Sequence, residues 1–372
     1  MTQLATSNLN GVGIDLDTIK NDLDSKSKAL RSVVHEDEIN DDTQVSDPEP
    51  VIFIRDSVFA VKGDISVVGG LPKAGKTSCS VFMIATALMK ERPEGFDSLS
   101  IRTTYCNQEM VVYIDTEQPK SYTNKLRKQV LKIIGLEKHP ENLKILNLRK
   151  YESHRKLEKV LELMNSIPKA HLWIIDGVAD LIKDPNDTKE SFGIIETFMM
   201  KSNDLNTAIV LYIHENPGTS GKLRGNLGSE AERKCGGAIA IKKIKDKGIH
   251  SIEAKLIRGS ADFDPVFFRY DKPLERMVSL NESESSEVKK STDKEAIKLN
   301  SRIQLAKRCL ITGQLKYGEL VGKIMSVAIE IEGKSMSKKT AENRLKDLKD
   351  LDIITNLNGD FYELANKYIP QQ

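Results

Sequence analysis

This chain is constrained most by one eight-residue motif, Gly70-Leu71-Pro72-Lys73-Ala74-Gly75-Lys76-Thr77. The motif has the spacing G-x-x-x-x-G-K-T, and it lies between an alternating apolar run that ends at Val68 and a longer apolar stretch. A strand, a glycine loop and a helix in that order are typical of a phosphate-binding loop, whose backbone N–H groups surround phosphate oxygens. The motif and Ser78 therefore predict a nucleoside triphosphate site, with Lys76 on the phosphates and Thr77 on Mg²⁺. An ordinary glycine turn before a buried helix is the alternative.

The composition is typical of a globular protein with two or three domains: 372 residues, 39% apolar and 30% charged. No apolar run approaches the roughly eighteen residues of a membrane span, and the N-terminus shows no signal-peptide pattern. We therefore expect a cytoplasmic protein with no membrane partner. The four cysteines lack metal-ligand spacing and are expected to be packing residues in a reducing compartment: Cys79, Cys106, Cys235 and Cys309.

The net charge of +2 conceals an acidic N-terminal segment. Residues 1–50 contain eleven Asp/Glu and four Lys/Arg, without a sustained apolar period. We predict a disordered, solvated acidic tail over 1–49, with a partner-binding segment as the alternative. A large domain is predicted over 50–279 and a small one over 293–372. The charged, serine-rich residues 280–292 are predicted to be a linker between them.

From Val51 to about Asp271, β-rich runs alternate with helical stretches. Strands are predicted at 51–54, 65–68, 111–114, 143–146, 172–175, 208–213, 238–244, 250–257 and 266–269. Helices are predicted at about 78–90, 119–134, 153–166 and 188–205. Alternating strands and helices, with several strands continuously apolar, predict an α/β fold with a mainly parallel sheet covered on both faces. The last three strands follow one another without helices, so we expect the sheet to end antiparallel.

Three polar side chains follow predicted strands and could complete a triphosphate site. Asp176 follows a buried strand and is expected to hold the Mg²⁺ water shell opposite Thr77. Glu117 could polarise an attacking water if its strand neighbours the strand of the glycine motif; capping of the helix after Pro119 is its alternative. His214 could lie beside the γ-phosphate, or it could be an ordinary loop histidine.

These motifs, in this order and approximate spacing, resemble the RecA-type P-loop ATPase core. The similarity is greatest to RepA-like hexameric plasmid helicases and related AAA ATPases of mobile genetic elements. It covers about residues 50–271, some 60% of the chain. The order of four motifs is specific, whereas each motif beyond the glycine loop is weak by itself. The resemblance implies a RecA-like ATPase domain over 50–279, with ATP and Mg²⁺ as cofactors and a homo-oligomeric ring.

The resemblance also implies roles for individual residues. Lys76 would be the catalytic phosphate ligand, Thr77 and Asp176 the metal ligands, Glu117 the catalytic base and His214 the γ-phosphate sensor. The loop from Glu215 to Gly236 would touch single-stranded DNA in a central pore. Its candidate contacts are Lys222, Arg224, Arg233 and Lys234. A flexible, solvated basic loop is the alternative for this segment.

The family further implies a lysine and an arginine that act on the neighbouring subunit's γ-phosphate. Lys255 and Arg258 occupy the corresponding place, but they are three residues apart rather than two. Since a shift of one residue along a strand changes the face, we expect that only one of them reaches the phosphate. Arg258 is favoured because a guanidinium suits transition-state charge, with Arg233 and Lys243 as competitors.

Residues 293–372 contain three predicted helices and an Asn-Gly hairpin, an arrangement that resembles a winged helix-turn-helix domain. The helix behind Ser337 should bury an apolar stripe made of Ala341, Leu345 and Leu348. Its opposite face would then present Lys339, Asn343 and Lys346 to a duplex. Residues 293–367 contain fourteen Lys/Arg and eleven Asp/Glu, a weak electrostatic signal. Protein contact therefore remains the alternative to DNA contact.

The sequence favours an ATP-hydrolysing, RecA-like motor or switch, helicase-like, that acts on DNA during replication, mobilisation or transposition of a mobile element. The rival hypothesis is an ATP-regulated DNA- or protein-binding regulator without translocation. A recombinase-like filament is a third hypothesis, for which the chain shows no recognisable polymerisation segment.

Overall fold

A computed structural model of the chain describes residues 21, 24–26, 39–41, 43–44, 46–216, 221–244, 247–333 and 335–369. The chain divides into two compact units, 1–47 and 48–372. Most of the tail predicted for 1–49 lies outside the described residues.

The second unit contains a nine-stranded sheet in the order β12-β11-β10-β9-β3-β8-β7-β5-β6. The six strands from β9 to β6 are mutually parallel, and the other three are added antiparallel. The parallel strands are β3 (Ile65–Gly70), β5 (Met110–Asp115), β6 (Leu143–Asn147), β7 (Ala170–Asp176), β8 (Ala208–His214) and β9 (Gly237–Ile244). The antiparallel strands are β10 (Ile249–Ile257), β11 (Val266–Asp271) and β12 (Arg276–Ser279). A mixed α/β fold with a large, mostly parallel sheet is thus confirmed, including its antiparallel end.

Five helices cover the two faces of this sheet: α1 (Lys76–Leu88), α2 (Lys120–Ile134), α3 (Ser153–Ser166), α4 (Thr188–Asp204) and α5 (Gly225–Lys234). One apolar core contains residues of α1 and α2, and a second contains residues of α3, α4 and α5. Both cores exist because the central strands are apolar at consecutive positions and bury both faces. The first four helices agree with the predicted helices.

The first predicted strand does not belong to the central sheet. A separate three-stranded sheet has the order β2-β1-β4, formed by β1 (Pro50–Ile54), β2 (Ser57–Val61) and β4 (Ile101–Thr103). Strands β2 and β4 are short and were not predicted. β1 has a partner on each side, so tertiary pairing decides which sheet it joins.

The segment predicted as a linker is helical. Helix α6 runs from Glu282 to Cys309 without interruption and includes most of residues 280–292. Its start is fixed by a capping box in which Asn281 and Glu284 exchange side-chain and backbone hydrogen bonds. Val288 packs against Phe267 and Leu280. The low apolar content that predicted a linker instead reflects a helix that is largely exposed to water.

The C-terminal residues form their own apolar core. The end of α6 packs with α7 (Tyr317–Glu332) and α8 (Lys338–Asp350), beside a three-stranded sheet of order β13-β15-β14. Its strands are β13 (Leu315–Lys316), β14 (Ile354–Leu357) and β15 (Phe361–Leu364). The predicted stripe of α8 is confirmed, since Ala341, Leu345 and Leu348 are buried.

All four cysteines are buried and unbonded, in agreement with a packing role. Within the described part of the chain, no helix is both long and apolar enough to cross a lipid bilayer.

Candidate functional site

Four neighbouring parallel strands bring the predicted site residues together at the carboxyl ends of the strands. The pairing register places His214 beside Gly70, Asp176 beside Tyr212, and Asp115 beside Asp176. All of these positions lie at the carboxyl ends of their strands, where open α/β sheets bind their ligands.

Glu117 was considered as a base on the condition that its strand neighbours the strand of the glycine motif, and this condition is not met. Strand β5 does not neighbour β3, because β8 and β7 lie between them. Glu117 nevertheless reaches the centre of the site, since the chain continues beyond Asp115 in a turn. Asp115 fixes this turn by accepting hydrogen bonds from the backbone N–H groups of Glu117 and Gln118 and from the Thr123 hydroxyl. Asp115, rather than Glu117, therefore stabilises the entry to α2, and the capping alternative for Glu117 is wrong.

The glycine loop, Gly70–Thr77, joins β3 to α1 through positive φ angles of 152°, 63° and 104° at Gly70, Lys73 and Gly75. Gly70 is required by space as well, because a Cβ atom there would lie 2.4 Å from the carbonyl oxygen of Ile241. No side chain caps the N-terminus of α1. Backbone N–H groups at such a helix end are suited to an anion.

Lys76 begins α1 and folds back onto the loop. Its ammonium Nζ lies 2.8 Å from Gly70 O, 3.1 Å from Leu71 O and 3.2 Å from His214 Nδ1. Burial lowers the pKa of Lys76, while the nearby carboxylates Asp176, Glu117 and Glu215 oppose that shift. The cation is thus held by neutral oxygens that a phosphate could replace.

His214 connects Lys76 to Glu117. Because an ammonium only donates hydrogen bonds, Nδ1 of His214 must accept, and Nε2 then carries the proton. Nε2 lies 3.0 Å from Glu117 Oε2 and donates to it. This hydrogen bond is the main reason that the pKa of Glu117 lies below its usual value. One imidazole therefore orients a cation and a carboxylate at the same strand ends.

Asp176 is buried beside this chain of contacts. Its Oδ2 accepts a hydrogen bond of 2.8 Å from the hydroxyl of Tyr113. Burial raises the pKa of Asp176 to about 6, although the Tyr113 hydrogen bond and the nearby Lys76 charge act in the opposite direction. Sequence reasoning did not identify Tyr113 as a partner, because only the β5–β7 pairing brings its side chain to Asp176.

Glu215 is a second residue that the predictions missed. It follows His214 directly and is buried, and its Oε1 has no hydrogen-bond partner among the described residues. Burial raises the pKa of Glu215, against attraction from Lys255, Lys242 and Lys76. The only signal in the sequence was its position next to His214.

The predicted DNA-contacting loop contains a helix of ten residues. Residues 217–220 lie outside the described residues, and 225–234 form α5. The glycines in this helix serve close packing rather than flexibility, since a Cβ at Gly228 would lie 2.4 Å from the Leu223 Cβ. Lys222 and Arg224 are exposed. Arg233 and Lys234 pair with Glu230, at 2.6 and 3.4 Å.

The two cations predicted to act on a neighbouring subunit do not join the cluster within one chain. Lys255 contacts Glu232 and the carbonyl of Gly221, and Arg258 Nη2 donates to the carbonyl of Arg233 at 2.9 Å. Both side chains contact α5 or the loop before it, and the register of β10 shifts between Ala254 and Leu256. That only one of them reaches the phosphate of a neighbouring subunit stays a prediction.

The remaining candidates lie elsewhere. Lys243 is exposed near the end of β9. Lys339, Asn343 and Lys346 are exposed along one face of α8, as the helical period predicts.

The described residues contain no group of three or more His, Cys, Asp or Glu that could hold a metal. Mg²⁺ commonly takes one or two protein ligands and completes its shell with phosphate oxygens and water. The half-buried Thr77 and the carboxylate of Asp176 fit that pattern.

Comparison of the chain with protein-family models and with curated proteins gave no match.

Proposed function

We propose that this protein is a RecA-type ATPase that binds ATP with Mg²⁺ at the glycine loop and hydrolyses it. The observation that supports this most is the chain of contacts from Lys76 through His214 to Glu117. These contacts join the Lys76 ammonium and the Glu117 carboxylate through one imidazole, beside a glycine loop at a helix N-terminus.

Binding is proposed to begin with exchange of partners at Lys76. Its ammonium group would leave the carbonyl oxygens of Gly70 and Leu71 for the oxygens of the terminal phosphates. An anionic oxygen forms stronger charge-assisted hydrogen bonds than a carbonyl does. Backbone N–H groups of residues 70–78 would enclose the remaining phosphate oxygens.

Glu117 is proposed to accept a proton from the attacking water. Its carboxylate is ionised at neutral pH, as that of an ordinary glutamate is, and the hydrogen bond from His214 lowers its pKa further. His214 would detect the γ-phosphate, since Lys76 would leave Nδ1, which could then take a proton and donate a hydrogen bond to a phosphate oxygen. The magnesium ion, held by Thr77 and Asp176, would supply charge neutralisation at the phosphates.

Action on DNA is the less direct part of the proposal. The exposed Lys222 and Arg224 and the exposed α8 residues Lys339, Asn343 and Lys346 would contact nucleic acid. α7, α8 and the β14–β15 hairpin would form a winged helix-turn-helix unit. The subunits are proposed to form a ring in which Arg258 acts on the γ-phosphate of a neighbouring subunit. The protein would serve replication, mobilisation or transposition of a mobile element.

A second candidate function is an ATP-regulated binding protein without translocation. One observation favours it: Arg233 and Lys234, within the predicted pore loop, and Lys255 beside it form ion pairs with Glu230 and Glu232. ATP-dependent strand displacement would support the motor. Duplex binding without displacement, at any ATP concentration, would support the regulator.

Steady-state phosphate release from ATP and Mg²⁺ tests the assignment of the site. We expect Lys76→Ala to lower turnover by about 100-fold or more, since loss of one donor to transition-state charge has effects of that order. The exposed Lys90, just beyond α1, provides the matched control Lys90→Ala, whose turnover should stay within about twofold. DNA-stimulated hydrolysis that persists in Lys76→Ala would refute the proposal.

A further inference from the structure

An open cleft of about 1000 Å³ lies at the β6 edge of the nine-stranded sheet, the edge opposite β12. Its floor includes residues of β6, the last strand of the sheet, and its walls come from α2 and α3. These helices belong to different apolar cores and so lie on opposite faces of the sheet. The cleft is therefore a groove along the sheet edge, separate from the cluster around Lys76.

The cleft is strongly cationic. Four Lys/Arg side chains line it, together with one carboxylate: Lys120, Arg127, Lys150, Lys159 and Glu162. The surrounding segment 120–166 contains twelve Lys/Arg and five Asp/Glu, whereas the whole chain has a net charge of +2. The segment that contains the cleft therefore carries an excess of seven positive charges.

These four cations have no carboxylate within ion-pair distance in the described part of the chain. Other surface cations do: Lys132 pairs with Glu275 at 2.8 Å and Arg155 with Glu158 at 2.6 Å. In the cleft, Arg127 instead bonds the amide oxygen of Asn124, and Lys150 and Lys159 lie 4.9 and 4.8 Å from the ring centre of Tyr151. Unneutralised cations that converge on a groove are suited to a polyanion.

The uncharged lining favours one kind of polyanion. Tyr151 offers a half-buried aromatic ring, and Ile145 and Leu146 offer apolar surface beside it. Bases of a single strand are unstacked and can lie on such surfaces, whereas the bases of a duplex are enclosed. Asn124 and Asn147 add amide groups to the walls.

We propose that this cleft binds the phosphodiester backbone of single-stranded nucleic acid, with Lys150 and Lys159 on one wall and Arg127 on the other. The inference extends the DNA-binding part of the proposed function to a surface that none of the sequence motifs indicated. Its test requires no ATP, so failure of the ATPase assignment and failure of this one are distinguishable.

The test is fluorescence anisotropy of a labelled twenty-nucleotide oligothymidine with the full chain, over a series of salt concentrations. We expect the double variant Lys150→Glu/Lys159→Glu to bind at least tenfold more weakly than wild type at about 0.1 M salt. The slope of log affinity against log salt should fall by about 1.4, since each phosphate contact to a single strand contributes about 0.7.

A matched double variant, Lys90→Glu/Lys272→Glu, changes the net charge equally at exposed lysines outside the cleft. Its affinity for the oligothymidine should stay within about twofold of wild type. The single variant Arg127→Gln tests the other wall if the charge reversals impair folding, which circular dichroism would detect, and it should weaken binding about threefold.

An equal loss in both double variants would show non-specific attraction and overturn the proposal. Unchanged affinity of Lys150→Glu/Lys159→Glu would also overturn the proposal. The alternative ligand would then be an extended peptide that pairs with the edge strand β6. Equal competition by a twenty-base-pair duplex would overturn the assignment to single strands.

Discussion

The cluster around Lys76 and the cleft beside β6 both offer cations to anionic ligands, yet they are built differently. In the cluster, Lys76 and Asp176 are buried while His214 is half-buried and Glu117 is exposed, and hydrogen bonds of 2.8 to 3.2 Å hold all four side chains. In the cleft, four cations share an open groove with one carboxylate. Removal of one buried group should therefore have a large effect, whereas each exposed cation should contribute a small, salt-dependent increment.

The largest effect on activity is expected from a substitution of Glu117 in the cluster. Glu117→Gln removes the proposed base but preserves the shape of the side chain, so ATP should bind with normal affinity while turnover falls about 100-fold or more. Binding of a fluorescent ATP analogue and phosphate release measure the two properties. Glu137→Gln, an exposed glutamate of the loop after α2, is the control. Normal turnover by Glu117→Gln would remove Glu117 from the mechanism.

A pH-dependent stability effect is expected at Asp176. Burial raises its pKa from the ordinary 3.8 to about 6, so the ionised form destabilises the ligand-free fold. The destabilisation is absent below about pH 4, grows as the pH rises to about 6, and is complete above that. The full destabilisation lowers the free energy of unfolding by about 2 to 3 kcal/mol, because a shift of one pK unit corresponds to about 1.4 kcal/mol.

Asp176→Asn should therefore melt at a higher temperature than wild type at pH 7.5, and the difference should vanish near pH 4. Thermal denaturation followed by circular dichroism measures both values. Asp350→Asn, at an exposed position of α8, should show no such pH dependence. A constant difference across the pH range would contradict the role of the Asp176 charge.

A smaller effect is expected at His214, which joins the two ends of the cluster. His214→Ala should lower ATP turnover about tenfold, since Lys76 and Glu117 lose a common partner. The pKa of Glu117 should rise without its hydrogen bond, and the acidic limb of the pH–rate profile should move to higher pH. His154→Ala, at an exposed position of α3, should leave the profile unchanged. An unshifted limb in His214→Ala would argue against this hydrogen bond in solution.

The smallest effect is expected in the cleft. Lys159→Gln alone should weaken oligothymidine binding only about two- to threefold, and it should lower the salt slope by about 0.7. Salt-dependent anisotropy measures both, with Lys272→Gln as control. A loss above about tenfold from this single change would mean that the cleft depends on one side chain, as the cluster does, and would remove the contrast.

Much of the fold followed from local patterns. The apolar runs at 111–114 and 172–175 predicted buried strands correctly because continuous apolar residues fit a sheet covered on both faces. Helix α6 was missed in part, because an exposed helix and a linker share a polar composition. Helix α5 was read as a loop because glycines predict turns, and only its packing against Leu223 shows why they are needed.

The sequence by itself determined the glycine loop between a strand and a helix, and it placed Asp176 and His214 at strand ends, because these depend on residues close together in the chain. Only the tertiary structure decided that Glu117 meets His214 and that Tyr113 bonds Asp176, since strand order sets contacts between residues far apart in sequence. The cleft is likewise a tertiary property. Its cations are scattered over 120–159, and only the two helices on opposite faces of β6 bring them together.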